Sequence, residues 1–318
     1  MSKEKILITG SGGQLGSVLT EALKDKFGKN AVIATDLRQM ENYEGIFELL
    51  DATDAVALEA LIEKYKITQI YHLAAILSAK GEQNPLQTWD INLKTLFNVL
   101  EASVKYKIDK VFFPSSIAVY GDMATKSNTA QDEFLNPSTV YGISKAAGEN
   151  WCQYYFLKYG LDVRSLRYPG VIGYQSLPGG GTTDYAVEIY HNAVKEEAFE
   201  CYLKADAMLP MIFMDDTIRA TIELMEAPKE SITIRTSYNL AGVSFTPEEV
   251  VTSIKEHYPN FEVTYKPDFR QGIAEGWPSS IDDSFARNDW NWQPKYDLDA
   301  ITAEMITQLK KKYNLITQ

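Results

Sequence analysis

The sequence is poor in the residues that build disulfide frameworks and metal centres. Its 318 residues include two cysteines, Cys152 and Cys201, and three histidines, His72, His191 and His257, which lie far apart along the chain. Neither the spacing nor the context of the cysteines indicates an oxidised framework, so buried free thiols are expected. Zinc sites draw on clustered Cys and His ligands. We therefore expect no metal.

Long apolar runs and clusters of positive charge are also scarce. The runs around Ile6 and Val111 end after a few residues, far short of the roughly 20 that span a bilayer. The segment Met1 to Lys5 lacks the apolar stretch of a secretory signal. The formal net charge is −12, and the one local basic cluster is Lys310 to Lys312. We expect a cytoplasmic protein that binds neither membranes nor nucleic acid.

The first half of the chain alternates short β-branched runs with longer helical patterns. An apolar period follows Gly16 and ends at Gly28, a typical C-terminal helix cap, and Pro85 begins another helix with one apolar face. The alternation predicts an α/β fold with a doubly wound parallel sheet. The predicted strands are 5–9, 31–36, 69–73, 110–114 and 162–168.

Beyond Gly170 the pattern becomes less regular, with Gly- and Pro-rich loops and a late aromatic segment. We expect two intimate parts without a separating linker. Residues 1–170 would form a dinucleotide-binding domain, with parts of 210–245 returning to it, and residues 171–318 would form mainly a smaller C-terminal lobe.

The turn after the first predicted strand carries the signature of a dinucleotide site. Gly10, Gly13 and Gly16 stand between a strand and a helix, where the turn is tight, the backbone must approach a pyrophosphate, and the helix packs hard on the strand. Gln14 and Leu15 begin that helix, whose N-terminal dipole would face the phosphates. An ordinary strand-to-helix turn is the alternative.

Asp36 decides in favour of the dinucleotide interpretation. It ends the second strand twenty residues after Gly16, where a carboxylate accepts hydrogen bonds from the adenosine ribose. A carboxylate there repels a 2′-phosphate, which predicts a Rossmann domain that binds NAD, although nearby Arg38 leaves NADP open. Asp51 is a candidate for the adenine edge, and Asp54 is a turn or N-cap residue.

Tyr141 and Lys145 are the candidate catalytic pair. They lie four residues apart on a predicted helix and so share one face. A phenol is a poor base at neutral pH, and an adjacent ammonium favours its phenolate form. Ser115 and Ser116 end the strand that begins at residue 110, at the edge where α/β sheets hold ligands.

These motifs resemble the extended short-chain dehydrogenase/reductase family over essentially the whole chain. The resemblance rests on the three glycines, the run His72 to Ala75, Asn92, Ser116, and Tyr141 with Lys145. It implies that Tyr141 is the general acid/base, that Lys145 binds the nicotinamide ribose and lowers the phenol pKa, and that Ser116 orients the reacting oxygen. Further residues expected at the cofactor are Leu73, Ala74, Ala75, Asn92, Ser115, Tyr168 and Pro169.

The second lobe resembles a narrower group, the short-chain-type L-threonine 3-dehydrogenases. The runs 76–79, 179–186 and 276–284 carry this likeness. It implies NAD-dependent oxidation of the L-threonine 3-hydroxyl in a pocket of the substrate-binding lobe. The residues implied as substrate contacts are Ser78, Ser116, Tyr141, Thr182, Thr183, Asp184 and Trp277. Capping of a helix by Thr183 or Asp184, and a plain core position for Trp277, are the alternatives.

Two other functions remain open from the sequence. Nucleotide-sugar epimerases or dehydratases of this family carry a substrate-binding Asn where this chain has Gly170, which argues against that activity. A non-catalytic NAD sensor would be expected to lack Tyr141 or Lys145, and both are present. The family also implies a homodimer formed through two long helices, here near residues 85–105 and 139–158.

Overall fold

The computed structural model describes residues 4–40, 43–179 and 181–315, so Gly180, part of one motif above, lies outside the described residues. The strands are β1 (Ile6–Thr9), β2 (Val32–Asp36), β3 (Ile46–Leu49), β4 (Gln69–His72), β5 (Lys110–Ser116), β6 (Val163–Tyr168), β7 (Gly170–Ile172), β8 (Phe199–Cys201), β9 (Leu209–Phe213), β10 (Tyr238–Asn239), β11 (Val243–Phe245) and β12 (Val263–Tyr265). The helices are α1 (Gln14–Phe27), α2 (Ala55–Tyr65), α3 (Ser78–Gly81), α4 (Pro85–Tyr106), α5 (Val140–Tyr159), α6 (Tyr185–Val194), α7 (Met214–Glu226), α8 (Pro247–Lys255), α9 (Phe269–Glu275), α10 (Ser284–Trp290) and α11 (Leu298–Lys312).

The chain divides into two compact units. Unit 1 comprises Met1–Ser116, Thr139–Arg167 and Ile218–Tyr238, and unit 2 comprises Ile117–Ser138, Tyr168–Thr217 and Asn239–Gln318.

Unit 1 is built on a seven-stranded sheet in the order β10-β6-β5-β4-β1-β2-β3. Strand β1 pairs in parallel with both β2 and β4, while β2–β3 and β4–β5 are also parallel. The chain therefore reverses its direction of winding at β1 and β4, where doubly wound sheets hold their ligands. This confirms the predicted fold class.

Five predicted strands are observed with their ends shifted by no more than two residues. Strand β3 is not among them. It has four residues, pairs with β2 as the last strand in the sheet order, and contains no fully buried residue. Its apolar residues are interrupted by the charged Glu48, unlike the continuous apolar runs of the buried strands.

The helix ends follow the local sequence. Helix α1 ends at Gly28, whose φ of 92° suits glycine and whose N–H donates to the Lys24 carbonyl at 2.8 Å. Helix α4 has Pro85 in its first turn. Both features agree with the predicted cap and start.

The core of unit 1 lies where the sheet meets α2, α4 and α5. Sheet residues such as Leu7 and Val111 pack with Leu96 and Val99 of α4 and with Cys152 of α5, and all five are buried. This packing fixes α5 against β5 and places the Tyr141 helix beside Ser116.

Unit 2 is a smaller sheet-and-helix assembly. Strand β9 pairs in parallel with β7 and antiparallel with β11, and β8 pairs in parallel with β12. A buried hydroxyl chain joins three of its helices: Tyr190 of α6 bonds Thr302 of α11 at 2.8 Å, and Ser253 of α8 donates to Thr302 at 2.9 Å. Buried hydrogen bonds of this kind fix helix orientation.

Candidate active site

The glycine-rich turn leaves no room for a side chain at Gly10 or Gly16. Gly10 has a φ of 76°, and a Cβ there would lie 2.8 Å from the Ala74 nitrogen. A Cβ on Gly16 would lie 2.2 Å from the Gly10 carbonyl oxygen. Gly13 is the N-cap of α1 and offers no side chain to bond the first-turn N–H groups. The first turn of α1 therefore has no side-chain cap on its N–H groups, which suits the cofactor's pyrophosphate.

Asp36 lies beside this turn. Its Oδ2 accepts a hydrogen bond from the Gly12 N–H at 2.9 Å, and its Oδ1 accepts from the Arg38 N–H at 3.4 Å. The carboxylate is thus fixed at the carboxyl end of β2, within reach of a ribose bound over the turn, and it fits NAD.

Asp51 is an exposed residue that the structure places in a local turn. Its Oδ1 accepts from both the N–H and the hydroxyl of Thr53, at 2.8 and 2.7 Å, and these bonds hold the pKa of the carboxyl below its usual value. A contact of Asp51 with adenine stays a prediction. Asp54 caps α2 through the N–H groups of Val56 and Ala57, in agreement with the expected N-cap role.

The segment Leu73–Ala75 is held at the ends of β1 and β4. The Leu73 N–H donates to the Thr9 carbonyl at 3.0 Å. Asn92 of α4 clamps the next residue, because its side chain accepts from the Ile76 N–H at 2.8 Å and donates to the Ile76 carbonyl at 3.1 Å. Asn92 is therefore engaged in shaping the segment expected to line the cofactor.

Tyr141, Lys145 and Ser116 come together as predicted. Tyr141 and Lys145 lie in the first two turns of α5, and the Ser116 hydroxyl at the end of β5 is hydrogen-bonded to the Tyr141 phenol. The Lys145 Nζ lies 5.5 Å from the Tyr141 ring centroid and donates to the Pro114 carbonyl at 2.6 Å. The Pro114 carbonyl thus anchors the ammonium beside the phenol.

Burial sets the acid-base properties of this pair. It raises the pKa of the Tyr141 phenol to about 12, an effect that the hydrogen bond from Ser116 opposes. It lowers the pKa of the Lys145 ammonium to about 8, which the electrostatic interactions with Cys152 and Glu149 oppose. Lys145 is therefore still a cation at neutral pH, and a cation beside a phenol favours the phenolate.

Behind the Tyr141–Lys145 pair lie three buried polar residues, Ser115, Glu149 and Arg167. The sequence did not mark Glu149 or Arg167 as site residues. Glu149 of α5 accepts from Ser115 at 2.5 Å and pairs with Arg167 of β6 through bonds of 2.8 and 3.0 Å. Ser115 was predicted at the cofactor, but its hydroxyl is directed to Glu149. The signal was available: Glu149 lies one helical turn beyond Lys145 on the same face.

His72 is a further buried polar group near the site. Its Nδ1 lies 2.9 Å from the Thr9 hydroxyl at the ends of β4 and β1. Burial lowers its pKa to about 3, with a smaller contribution from the charge of Lys145. The imidazole is therefore neutral and holds the two strand ends together.

In unit 2, the structure places Gly170 against Thr183. A Cβ on Gly170 would lie 2.8 Å from the Thr183 Cβ and 2.3 Å from the Met211 sulfur. The position that carries Asn in nucleotide-sugar enzymes has no room for a side chain here. Thr182 is buried, and its hydroxyl has no hydrogen-bond partner among the described residues.

Asp184 binds its own loop. It is the N-cap position of α6 but makes no side-chain cap bond, and its Oδ2 accepts from the N–H groups of Gly179 and Gly181 at 2.7 and 2.8 Å. The capping bond from Asp184, which the sequence left open as an alternative to substrate contact, is therefore not made. Its carboxylate instead fixes the glycine-rich loop that leads to Thr182 and Thr183.

The structure gives the positions of the remaining candidates. Ser78 begins α3, Tyr168 ends β6 and is buried together with Pro169, and Trp277 is 8% exposed just after α9. Their roles stay predictions.

Cys152 and Cys201 are free and buried, as expected. Within the described ranges, no cluster of His, Cys, Asp and Glu has the arrangement to hold a metal ion. None of the helices in that part of the chain combines the length and apolar character needed to cross a bilayer.

A family model for NAD-dependent epimerases and dehydratases matches residues 6–241, which include the glycine turn, Asp36, Tyr141 and Lys145. The chain belongs to this family. NAD is accordingly its cofactor, and the chain is an NAD-dependent oxidoreductase of the extended short-chain type.

Relatives over the whole chain include an uncharacterized epimerase/dehydratase of Staphylococcus haemolyticus, 44% identical over 97% of this chain and 98% of that protein. Among solved structures, the holo form of a GalE-like L-threonine dehydrogenase from Cupriavidus necator is 50% identical with a TM-score of 0.95, covering 96% of this chain and all of that one. A monomeric L-threonine 3-dehydrogenase from a metagenome is 49% identical with a TM-score of 0.94, covering 96% of this chain and 99% of that one.

Proposed function

We propose that this protein oxidises the 3-hydroxyl of L-threonine to 2-amino-3-oxobutanoate. The observation that carries the proposal is the full-length likeness to solved L-threonine dehydrogenases in a chain that keeps the Ser116, Tyr141 and Lys145 arrangement. NAD, when bound, supplies the hydride acceptor, so that L-threonine and NAD⁺ give the 3-oxo acid, NADH and a proton.

The protein's own groups move the proton. The Tyr141 phenolate accepts the substrate hydroxyl proton, and Lys145 stabilises that phenolate through its charge and, by the family resemblance, binds the ribose. Ser116 donates to the phenol and orients the reacting oxygen. Loss of carbon dioxide from the resulting β-keto acid needs no further group.

Recognition of L-threonine is expected from both polar and apolar groups. A small zwitterion needs donors for its carboxylate, a polar or acidic partner for its ammonium, and an apolar wall for its methyl. We propose Ser78, Thr182 and Thr183 as polar contacts and Trp277 as the apolar one. The unpartnered Thr182 hydroxyl supports this, because leaving a buried hydroxyl unbonded costs about 1–3 kcal/mol.

Nucleotide-sugar epimerisation is the second candidate, because the family model and the curated relatives are described as epimerase/dehydratases. The absence of space at Gly170 argues against it. Mass spectrometry of products formed from L-threonine with NAD, and separately from UDP-glucose with NAD, distinguishes the two. We expect the 3-oxo acid or its decarboxylation product and no UDP-galactose. UDP-galactose formation with unchanged L-threonine would reverse the assignment.

We also propose that the protein forms a homodimer through α4 and α5. These helices pack side by side, with Phe97 and Trp151 ring centroids 5.0 Å apart, and both present exposed apolar side chains, including Leu86 at 82% and Leu157 at 73%. The monomeric metagenomic relative makes this a necessary test. Light scattering should show a dimer that Leu157→Glu shifts toward monomer, whereas Phe269→Glu, an exposed residue of α9, should not.

A further inference from the structure

The Glu149–Arg167 ion pair is the most deeply buried charged group next to the catalytic residues. Glu149 is fully buried and Arg167 is 3% exposed. Charges are almost never buried without a partner, and such pairs are a weak source of stability because desolvation offsets their attraction. A pair held beside the catalytic Lys145 therefore calls for a functional explanation.

The pair is connected to both catalytic elements. Glu149 lies one turn beyond Lys145 on α5, and it accepts a hydrogen bond from Ser115. Ser115 stands between Pro114, whose carbonyl accepts from Lys145, and Ser116, which bonds Tyr141. The hydrogen bond to Ser115 thus fixes the end of β5, which carries the Pro114 carbonyl that binds Lys145 and the Ser116 hydroxyl that binds Tyr141.

We propose that Glu149 is a positioning residue: it anchors the end of β5 through Ser115 and supplies the buried negative charge that keeps Lys145 cationic, while Arg167 balances that charge. This inference rests on the proposed function only for its effect on turnover. The state of Lys145 and the binding of NAD can be measured without any substrate.

Removing the charge of Glu149 and removing that of Arg167 should have opposite effects on the pKa of Lys145. Without the Glu149 charge, Arg167 is left as a second buried cation, so Lys145 loses its proton more easily. Without Arg167, the unbalanced carboxylate makes Lys145 hold its proton more tightly. The titratable and charged groups to be considered around Lys145 are Tyr141, Glu149 and Cys152 of α5, His72 of β4, and Arg167 of β6.

The test is an NMR titration of lysine side chains in ¹³C-lysine-labelled protein, with the Lys145 signal identified by its absence from Lys145→Arg. We expect Glu149→Gln to lower the titration midpoint of Lys145 by about one pH unit and Arg167→Gln to raise it by a similar amount. The double variant should give a midpoint between those of the two single variants. Shifts in the same direction, or none, would overturn the proposal.

Asp162→Asn is the matched control. Asp162 is also a buried carboxylate, paired with Arg164 at 2.8 Å and Arg235 at 2.7 Å, but it lies at the other end of β6, where its carbonyl accepts from the Val111 N–H. Val111 lies three residues before Pro114, or about 10 Å along the strand. Asp162→Asn should lose stability as Glu149→Gln does, yet leave the titration midpoint of Lys145 unchanged. A midpoint shift equal to that of Glu149→Gln would mean that general destabilisation, and not the Glu149 charge, causes the effect.

Two neutral double variants cover the case in which single charges prevent folding. Gln at both positions keeps an acceptor for Ser115, whereas Met at both removes it. We expect the Gln pair to retain NAD affinity within about threefold and the Met pair to lose about tenfold, equivalent to one lost hydrogen bond. Equal affinities would overturn the anchoring role. A wild type that binds NAD and titrates as expected, but leaves L-threonine unchanged, would contradict the proposed function alone.

Discussion

Asp184 stabilises a loop in the structure, whereas the sequence predicts that its carboxylate contacts the substrate. The side chain accepts two backbone N–H groups of the glycine-rich loop, at Gly179 and Gly181. Loops rich in glycine have much conformational freedom to lose, so a carboxylate that bonds two of their amides stabilises one shape.

This role predicts a difference between two substitutions of Asp184. Asn keeps an oxygen that accepts from the loop, so Asp184→Asn should raise KM for L-threonine only a few-fold, whereas Asp184→Ala should raise it about tenfold or more through loss of the loop conformation. Steady-state kinetics with L-threonine measures both. Equal, large losses would instead favour direct binding of the substrate ammonium by the carboxylate.

The pKa values of Tyr141 and Lys145 predict how activity depends on pH. The phenolate fraction grows as pH rises toward the raised pKa of Tyr141, while the Lys145 cation is lost above its pKa of about 8. We expect kcat/KM to increase up to about pH 8 and then to stop increasing. A profile that climbs steadily from pH 8 to 10 would contradict a need for cationic Lys145.

At the scale of elements, the turn between β1 and α1 is fixed by backbone approach. Gly16→Ala would place a methyl 2.2 Å from the Gly10 carbonyl oxygen. We expect it to weaken NAD binding at least about tenfold, because the turn must shift to admit it. Calorimetric titration with NAD measures the affinity, and Gly272→Ala, where a Cβ meets nothing within 4 Å, is the control. Unchanged affinity in Gly16→Ala would contradict the turn's assigned role.

The sequence predicts the elements of unit 1 well because their signals are local. Strands that become buried read as short apolar runs, and the glycines, Asp36 and Tyr141 with Lys145 have fixed spacings. Glu149 shares the helix face of Lys145, but nothing in the sequence marks Glu149 or Arg167 as buried, because a charged residue in a sequence normally indicates a solvated face. Their burial follows from the packing of α5 on the sheet, which is a tertiary fact.

In unit 2 the sequence alone also does not give the burial or the neighbours of the candidate site residues Thr182, Thr183 and Trp277. The sequence marks them through resemblance to a family, and the structure gives their burial and their neighbours. Gly170 is the exception, since its contact with Thr183 supplies a physical reason for the missing Asn.

At the scale of the whole molecule, the buried neutral His72 links folding to pH. Its pKa is lowered from 6.5 to about 3 in the folded state, so its contribution to stability is complete above about pH 6.5 and is lost as pH falls toward 3. Between pH 6.5 and 4 this amounts to up to about 3 kcal/mol. Urea unfolding should show a smaller acid loss in His72→Gln than in wild type, and equal losses would contradict the account.

Initial rates of absorbance change at 340 nm report whether the whole protein oxidises L-threonine with NAD. Purified protein with NAD and L-threonine should produce NADH. With L-serine, L-allo-threonine or UDP-galactose in place of L-threonine, the absorbance should change more slowly or not at all. The Tyr141→Phe variant should oxidise L-threonine about two to four orders of magnitude more slowly while still binding NAD. Intact, NAD-binding wild-type protein that produces no NADH from L-threonine would contradict the account.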